Sequence, residues 1–303
     1  MSLQVGVTAW EFGTKGNAVD LAKQGEIAEA LGFDSFWLPE SHFAGPASIP
    51  APLMLLAAIA ARTTTIGLGS TSYLLPIRHP IQAAEEVAVL DRLSNGRVIL
   101  GIGRGFQDDM FTGFDVPVKD KRKLLKENLE IMIRAWQGEP IAMGKAPILL
   151  APLPVQKPYP RIWVAAFGPL ALKQAGTLGL PYIASPRETM SVLSENFTAH
   201  RLHANDAGHG PITTTPVMRT IFISTRPSLL KQVRNTLNTQ PEPLDEWAII
   251  GDEAFVTDKL AEYEACLGLN YLIARGRIPG VESSDQIASH EALAKLTMPS
   301  RQS

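Results

Sequence analysis

Cysteine is nearly absent from this chain: Cys266 is the single example in 303 residues. An intrachain disulfide is therefore excluded, and no Cys/His cluster has the spacing of a zinc site, so no metal centre is expected. Cys266 falls in the helix-like stretch Lys259 to Leu267 and reads as a small buried apolar residue. An excess of one charge is missing too. Lys+Arg number 28 against 30 Asp+Glu, a balance that leaves no electrostatic footprint for nucleic acid or an anionic membrane. No stretch approaches the roughly 18 consecutive apolar residues of a membrane span. The start, MSLQVGVTAW, lacks the charged head and long apolar run of a secretory signal. These absences point to a soluble cytoplasmic protein with a small, nearly neutral ligand. The dinucleotide fingerprint Gly-x-Gly-x-x-Gly is also missing. Gly101-Ile102-Gly103-Arg104-Gly105-Phe106 misplaces the third glycine and carries an arginine inside, which argues against an open doubly wound sheet.

What the chain does contain is a repeated strand-then-helix pattern, clearest between Thr64 and Gly105. Thr65 to Leu68 is a β-branched apolar run whose end is stripped of bulk by Gly67, Gly69, Ser70, Thr71 and Ser72. Pro76 and Pro80 suit a loop and a first helical turn. Ile81, Ala84, Val87, Ala88 and Leu90 then recur at helical spacing as far as Leu93. Ser94-Asn95-Gly96 turns the chain back into a second apolar run, Val98 to Ile102. Similar runs stand at Leu3 to Thr8, Ser35 to Leu38, Ile162 to Ala165, Tyr182 to Ala184, Val217 to Ser224 and Tyr271 to Ala274. Eight strands, each followed by a helical pattern, predict an α/β fold: a (β/α)8 TIM barrel forming one domain over residues 1–303. Glu139 to Arg161 holds six prolines and reads as a loop region inserted after the fourth barrel helix. GFQDDMFTGFDVPVKDK, after Arg104, reads as a loop, and Ser283 with Gln286 as a capping box.

Ligands of such a barrel sit at the carboxyl ends of the strands. The residues there are Trp10 and Phe12, Glu40 to Phe43, Ser70 to Tyr73, Gly103 to Phe106, Ala165 to Pro169, and Ser185. They are small, aromatic or neutral, with Arg104 and His42 the main charged or titratable members. Apolar walls with a few hydrogen bonders suit a flat aromatic cofactor better than a sugar or a metal. A strand ending in small residues and then an arginine predicts an anion on that ligand. Trp10, Phe12, Tyr73, Phe106 and Phe111 are the candidate substrate wall.

The segments LGFDSFWLPESHF, IGLGSTSYLLPIRHPIQAAEEVAVLDRLSNGRVILGIGRG, IWVAAFGPLALKQAGTLGLPYI and IIGDEAFVTDKLAEYEACLGLNYLI together resemble the bacterial luciferase-like flavin-dependent monooxygenases. The resemblance runs from about Val5 to Lys295. It implies an enzyme that takes reduced FMN from a separate flavin reductase and uses O₂ on a small organic substrate. One branch of the family uses the deazaflavin F420 instead. The family's flavin ring lies at a bulged strand end with a non-proline cis peptide, which aligns with Thr71-Ser72. Ser70, Thr71, Ser72, Gly103, Phe106, Ala165 and Phe167 are accordingly assigned to the cofactor, with Arg104, Gly168 and Pro169 at its phosphate. Many members carry two histidines in the loop after the second strand. Here Ser41 replaces the first, so His42 is the candidate acid or base. The resemblance also implies a homodimer through the helices Leu53 to Ala61 and Ile81 to Leu93. No cluster of lysines and arginines is evident near the mouth, which ranks F420 second. A flavin-binding protein without turnover is the third reading.

Overall fold

Prolines and capping side chains set many of the element boundaries. Pro52, Pro80, Pro169 and Pro227 stand in the first turns of four helices, where a missing N–H costs nothing. Thr189 and Asp252 cap two more, Asp252 accepting from the Phe255 N–H at 2.9 Å. The computed structural model describes residues 3–12, 18–238 and 241–298, the side chains of Ala18 and Val19 excepted.

In chain order the first elements are β1 (Gln4–Thr8), α1 (Ala18–Ala30), β2 (Ser35–Leu38), α2 (Pro52–Ala60), β3 (Gly67–Ser70) and β4 (Tyr73–Leu74). Then come α3 (Pro80–Leu93), β5 (Val98–Gly103), α4 (Asp108–Gly113), α5 (Lys121–Trp136), β6 (Ala142–Met143), β7 (Pro147–Ile148) and β8 (Arg161–Ala165). The last are α6 (Pro169–Thr177), β9 (Tyr182–Ile183), α7 (Met190–Asp206), β10 (Pro216–Ile223), α8 (Pro227–Leu237), β11 (Ala248–Gly251), α9 (Glu253–Leu267), β12 (Tyr271–Arg275) and α10 (Ser283–Thr297). The chain divides into two compact units, one of Met1–Phe12, Gln24–Phe36 and Ala166–Ser303, the other of Gly13–Lys23 and Trp37–Ala165.

In the first unit the parallel order is β11, β10, β12, β1. Val5 pairs with Leu272, Met218 with Ile273, and Phe222 with Ile250. Every residue of β10 is buried, as expected of a parallel strand covered on both faces. Phe222, Val233, Trp247, Ile250 and Ile278 form one core cluster. In the second unit β3, β5 and β8 lie parallel, with Leu68 opposite Val98 and Gly101 opposite Trp163. The short β4 joins the end of β5, Tyr73 against Ile102 and Leu74 against Gly103. Trp37 stacks on Trp163 with centroids 5.1 Å apart, and the Trp136 indole donates to the Ala84 carbonyl at 2.9 Å.

Several sequence expectations need correction. The third strand spans Gly67–Ser70, two residues beyond the β-branched run. The glycines belong inside it because Trp37 lies flat on Gly69, where a Cβ would fall within the indole. β11 was not expected: four residues between helical patterns carry too little period to register. The polar stretch after Arg104 holds the short helix α4, anchored by buried Met110 and Phe111. The proline-rich insertion contains the antiparallel hairpin β6–β7. It is tied down by wholly buried Asp91, which accepts from the Val155 N–H at 2.8 Å and the Gln156 N–H at 2.9 Å. Cys266 is exposed, because Val256, Leu260, Tyr263 and Leu267 make the buried face of α9. The Ser283/Gln286 capping box does not form: Glu282 precedes α10 without a side-chain cap, and the Gln286 amide is buried without a partner.

Replacing Gly69 by alanine is predicted to cost about 3 kcal/mol, the upper range for overpacking a closed core. Urea unfolding checks this; an unchanged midpoint would show that the indole yields freely.

Candidate functional site

The bare strand end predicted around residues 70–72 is present in the second unit. The Ser70 hydroxyl donates to the Gly101 carbonyl at 3.0 Å, and the Thr71 N–H to the Leu38 carbonyl at 2.8 Å. The Thr71–Ser72 peptide is cis. Ser72 leans on Gly103, where any Cβ would collide with its hydroxyl and its own Cβ. Glycine at 103 is thus what lets the ends of β3 and β5 approach each other. The segments after β2, β3 and β5 meet here through backbone hydrogen bonds and a close glycine contact.

Arg104 leaves this strand end half buried. Burial lowers its pKa from the ordinary arginine value, and neighbouring Arg122 lowers it further, with no carboxylate opposing either effect. A desolvated guanidinium without a counter-charge is a poor structural element and a good anion receptor. Phe106, assigned to the cofactor, is 84% exposed. Ala165 closes β8. In the first unit Phe167 is 75% exposed. Gly168 there caps α6 in the left-handed region at φ 80°, with open space around it and Pro169 following. Pro169 has no N–H, and the Ala171 and Leu172 N–H groups already donate to the Gly168 carbonyl at 3.0 and 3.2 Å, so this helix start offers an anion little beyond the dipole.

His42 is buried, and its Nε2 lies 2.6 Å from Glu40 Oε1. The same carboxylate, wholly buried, accepts from Arg78 Nη1 at 2.8 Å and from the Leu74 N–H at 2.9 Å. The sequence placed Glu40 at this strand end without a role and gave no sign of Arg78; together they fix the orientation of His42. Glu40 does stand two residues before the histidine, in the expected loop. The Arg78 guanidinium sits 3.9 Å over the Tyr73 ring, and the Tyr73 hydroxyl donates to Glu86 at 3.0 Å. Burial, ahead of every other influence, raises the Tyr73 pKa beyond reach. Phe111, wholly buried with Met110 against Leu74, supports the wall from behind.

The remaining two wall candidates belong to the first unit. Trp10 is buried, with its ring edge-on to Phe36 at 6.2 Å and 5.0 Å from His290. Its backbone is held by Gln24, whose Oε1 accepts from the Trp10 and Glu11 N–H groups at 2.9 and 3.2 Å. Phe12 is half buried beneath Arg277, whose Cζ stands 5.2 Å from the ring centroid.

Residues 5–228 match the family model of luciferase-like monooxygenases. The chain belongs to that family. It is 34% identical over 152 residues to the oxygenase component of the flavin-dependent trigonelline monooxygenase of Acinetobacter baylyi, covering 48% of this chain and 42% of that one. The chain spans about half the length, or less, of the curated relatives it matches. The oxygenating constituent of 3,6-diketocamphane monooxygenase from Pseudomonas putida, solved in complex with FMN, superposes with a TM-score of 0.83. That match covers 98% of both chains at 21% identity. The F420-dependent tetrahydromethanopterin reductase of Methanopyrus kandleri gives 0.72 over 99% of both, at 17% identity. These likenesses establish the fold, the TIM-barrel-like α/β arrangement that alternating strands and helices predict. Among the described residues no helix is long and apolar enough to cross a membrane.

His290, packed on Trp10, offers a test of this wall. Burial alone pushes its pKa from 6.5 down to about 4. The folded protein therefore refuses a proton that the unfolded chain takes up, so its stability is complete above pH 6.5 and declines toward pH 4. The decline amounts to at most about 3 kcal/mol. Subtracting the stability of His290→Phe from that of wild type across this range isolates the effect. A pH-independent difference would show that the ring is hydrated.

Proposed function

We propose that this protein is the oxygenase component of a two-component flavin monooxygenase. It takes reduced FMN from a separate reductase and, with O₂, oxidises a small, mostly apolar organic substrate. The observation that carries this reading is Arg104, half buried with no carboxylate acting on it, directly beyond the Gly103 end of β5. The residues present fit a phosphate-bearing planar ring. Arg104 would hold the phosphate, and Ser70, Thr71, Ser72 and Gly103 would form the surface under the ring, with Phe106 and Ala165 beside it. Reduced FMN supplies the oxygen-activating chemistry when bound. The protein's part is to orient it and keep water out. His42 is the candidate proton carrier, with its Nε2 held on the Glu40 carboxylate. Relatives named as an oxygenase component and as an FMN complex support this reading.

F420 is the second reading, favoured by the F420-dependent structural relative. Side-by-side titration separates the two. The expected result is FMN binding at micromolar levels or tighter, weakened about 10- to 100-fold by Arg104→Ala, the range for losing a charge-assisted contact. Absent FMN binding, an Arg104→Ala variant that binds like wild type, or tighter binding of F420 would each overturn it.

A homodimer belongs to the same proposal. An open groove of about 610 Å³ runs over α2 and α3, and Met54, Val89 and Leu93 project into it, Met54 at 75% exposure. Exposed apolar side chains gathered in one groove mark an interaction surface. A second copy of the chain is the proposed occupant. Light scattering is expected to report a dimer that Val89→Glu splits; a wild-type monomer at micromolar concentration would refute it.

A further inference from the structure

The expectation of no lysine and arginine cluster near the mouth needs correction: Arg275 and Arg277 directly follow the eighth expected strand, and the first unit brings Arg187 to them. Arg275 closes β12, Arg277 follows two residues later, and Arg187 comes from the loop after β9. Both supporting segments are firmly pinned. The Gly276 N–H donates to the Thr8 hydroxyl at 2.9 Å. Gly276 has no room for a Cβ, which would touch the Thr8 carbonyl, the Trp10 side chain and His290. The 185–188 loop is held by Arg219, which donates to the Ser185 and Glu188 carbonyls at 3.3 and 2.6 Å. The Glu188 carboxylate is already occupied by the Tyr182 hydroxyl, the Ser185 N–H and Asn196.

Nothing in this framework neutralises the three guanidiniums. Burial lowers the Arg275 pKa first, Arg187 and then Arg277 add to the effect, and no acidic group counters it. Among the described residues none of the three has an ion-pair partner. Arg275 is partly buried while Arg187 and Arg277 are exposed, and like charges gathered beside one partly desolvated guanidinium favour the entry of an anion. Arg275 pairs with Thr220, next to the Arg219 that holds the 185–188 loop, and guanidiniums carried by two such pinned segments suit a carboxylate better than a diffuse counter-ion. The cluster also adjoins the aromatic wall, since Arg277 lies over Phe12 and Gly276 against Trp10.

We propose that Arg187, Arg275 and Arg277 bind the carboxylate of an otherwise apolar, aromatic substrate, so that the enzyme selects small organic acids over their neutral analogues. This inference rests on the oxygenase reading for the word substrate, but not for the anion site itself. A neutral analogue would leave a desolvated cation unpaired, which is the element that rejects it.

The test titrates the full chain with benzoate and with its neutral counterpart benzamide, followed by ligand-observed NMR; FMN and F420 are titrated separately. Benzoate is expected to bind at least about tenfold more tightly than benzamide. The double variant Arg187→Gln, Arg277→Gln, at two exposed positions, is expected to abolish that preference and leave FMN affinity within about twofold. Arg187→Lys with Arg277→Lys is expected to restore part of it. Equal binding of the two probes by wild type, which needs no variant to fold, overturns the inference. So does a preference that survives the double glutamine variant. Loss of FMN or F420 affinity in that variant, with benzoate unaffected, reassigns the cluster to the cofactor and also overturns it. If benzoate is preferred while FMN fails to bind, the flavin reading falls and the anion site stands.

Discussion

The carboxylate of Glu40 holds the candidate flavin surface in place. It is wholly removed from water and takes donors from three segments: His42 after β2, the Leu74 backbone in β4, and Arg78 ahead of α3. A buried carboxylate is tolerable only when its oxygens are so occupied, and withdrawing one partner of such a group typically costs about 3–5 kcal/mol. Because β4 also pairs with the end of β5, this one group fixes the chain just beyond the Thr71–Ser72 peptide. Arg78 in turn stacks on Tyr73, and Tyr73 reaches Glu86 on α3. The clamp therefore links the strand end to the helix that lines the open groove.

Two sets of arginines among the described residues stand in contrast. Arg219 is completely buried, yet every arm has a partner: the Tyr263 hydroxyl at 2.7 Å and the backbone carbonyls of Ser185, Met218 and Glu188. Arg97 likewise spends its guanidinium on the Ala60, Thr63 and Ile66 carbonyls. Those are structural. Arg104 in one unit and Arg275 in the other are partly buried, lowered in pKa by desolvation and by neighbouring arginines, and opposed by no acid. A fold that satisfies its structural arginines so fully leaves these where strands end, which is where α/β proteins bind ligands.

The sequence made most of this legible where periodicity was strong. The helices around Val87 and Leu129 and the strands β1, β2, β5 and β8 stand within a residue or two of their expected places. Arg104 and the residue 70–72 turn were readable because glycines and small residues before a lone cation are a local signal. Glu40 was not singled out, since its importance comes from Leu74 and Arg78, 34 and 38 residues away in the chain. The arginine cluster escaped for the same reason: Arg187 and Arg275 are joined only by folding. The α4 and β11 segments were missed because six and four residues give too little pattern. Phe111, picked out as a wall residue, is wholly buried beside Met110 and Leu74, a depth that a loop sequence does not reveal.

A crystal structure of the protein loaded with FMN tests the central claim most directly. The account predicts the phosphate within hydrogen-bonding distance of the Arg104 guanidinium, with the ring resting on the Thr71–Ser72 backbone. A phosphate bound elsewhere while Arg104 points into solvent, or a ring kept off that backbone by closed side chains, would contradict it.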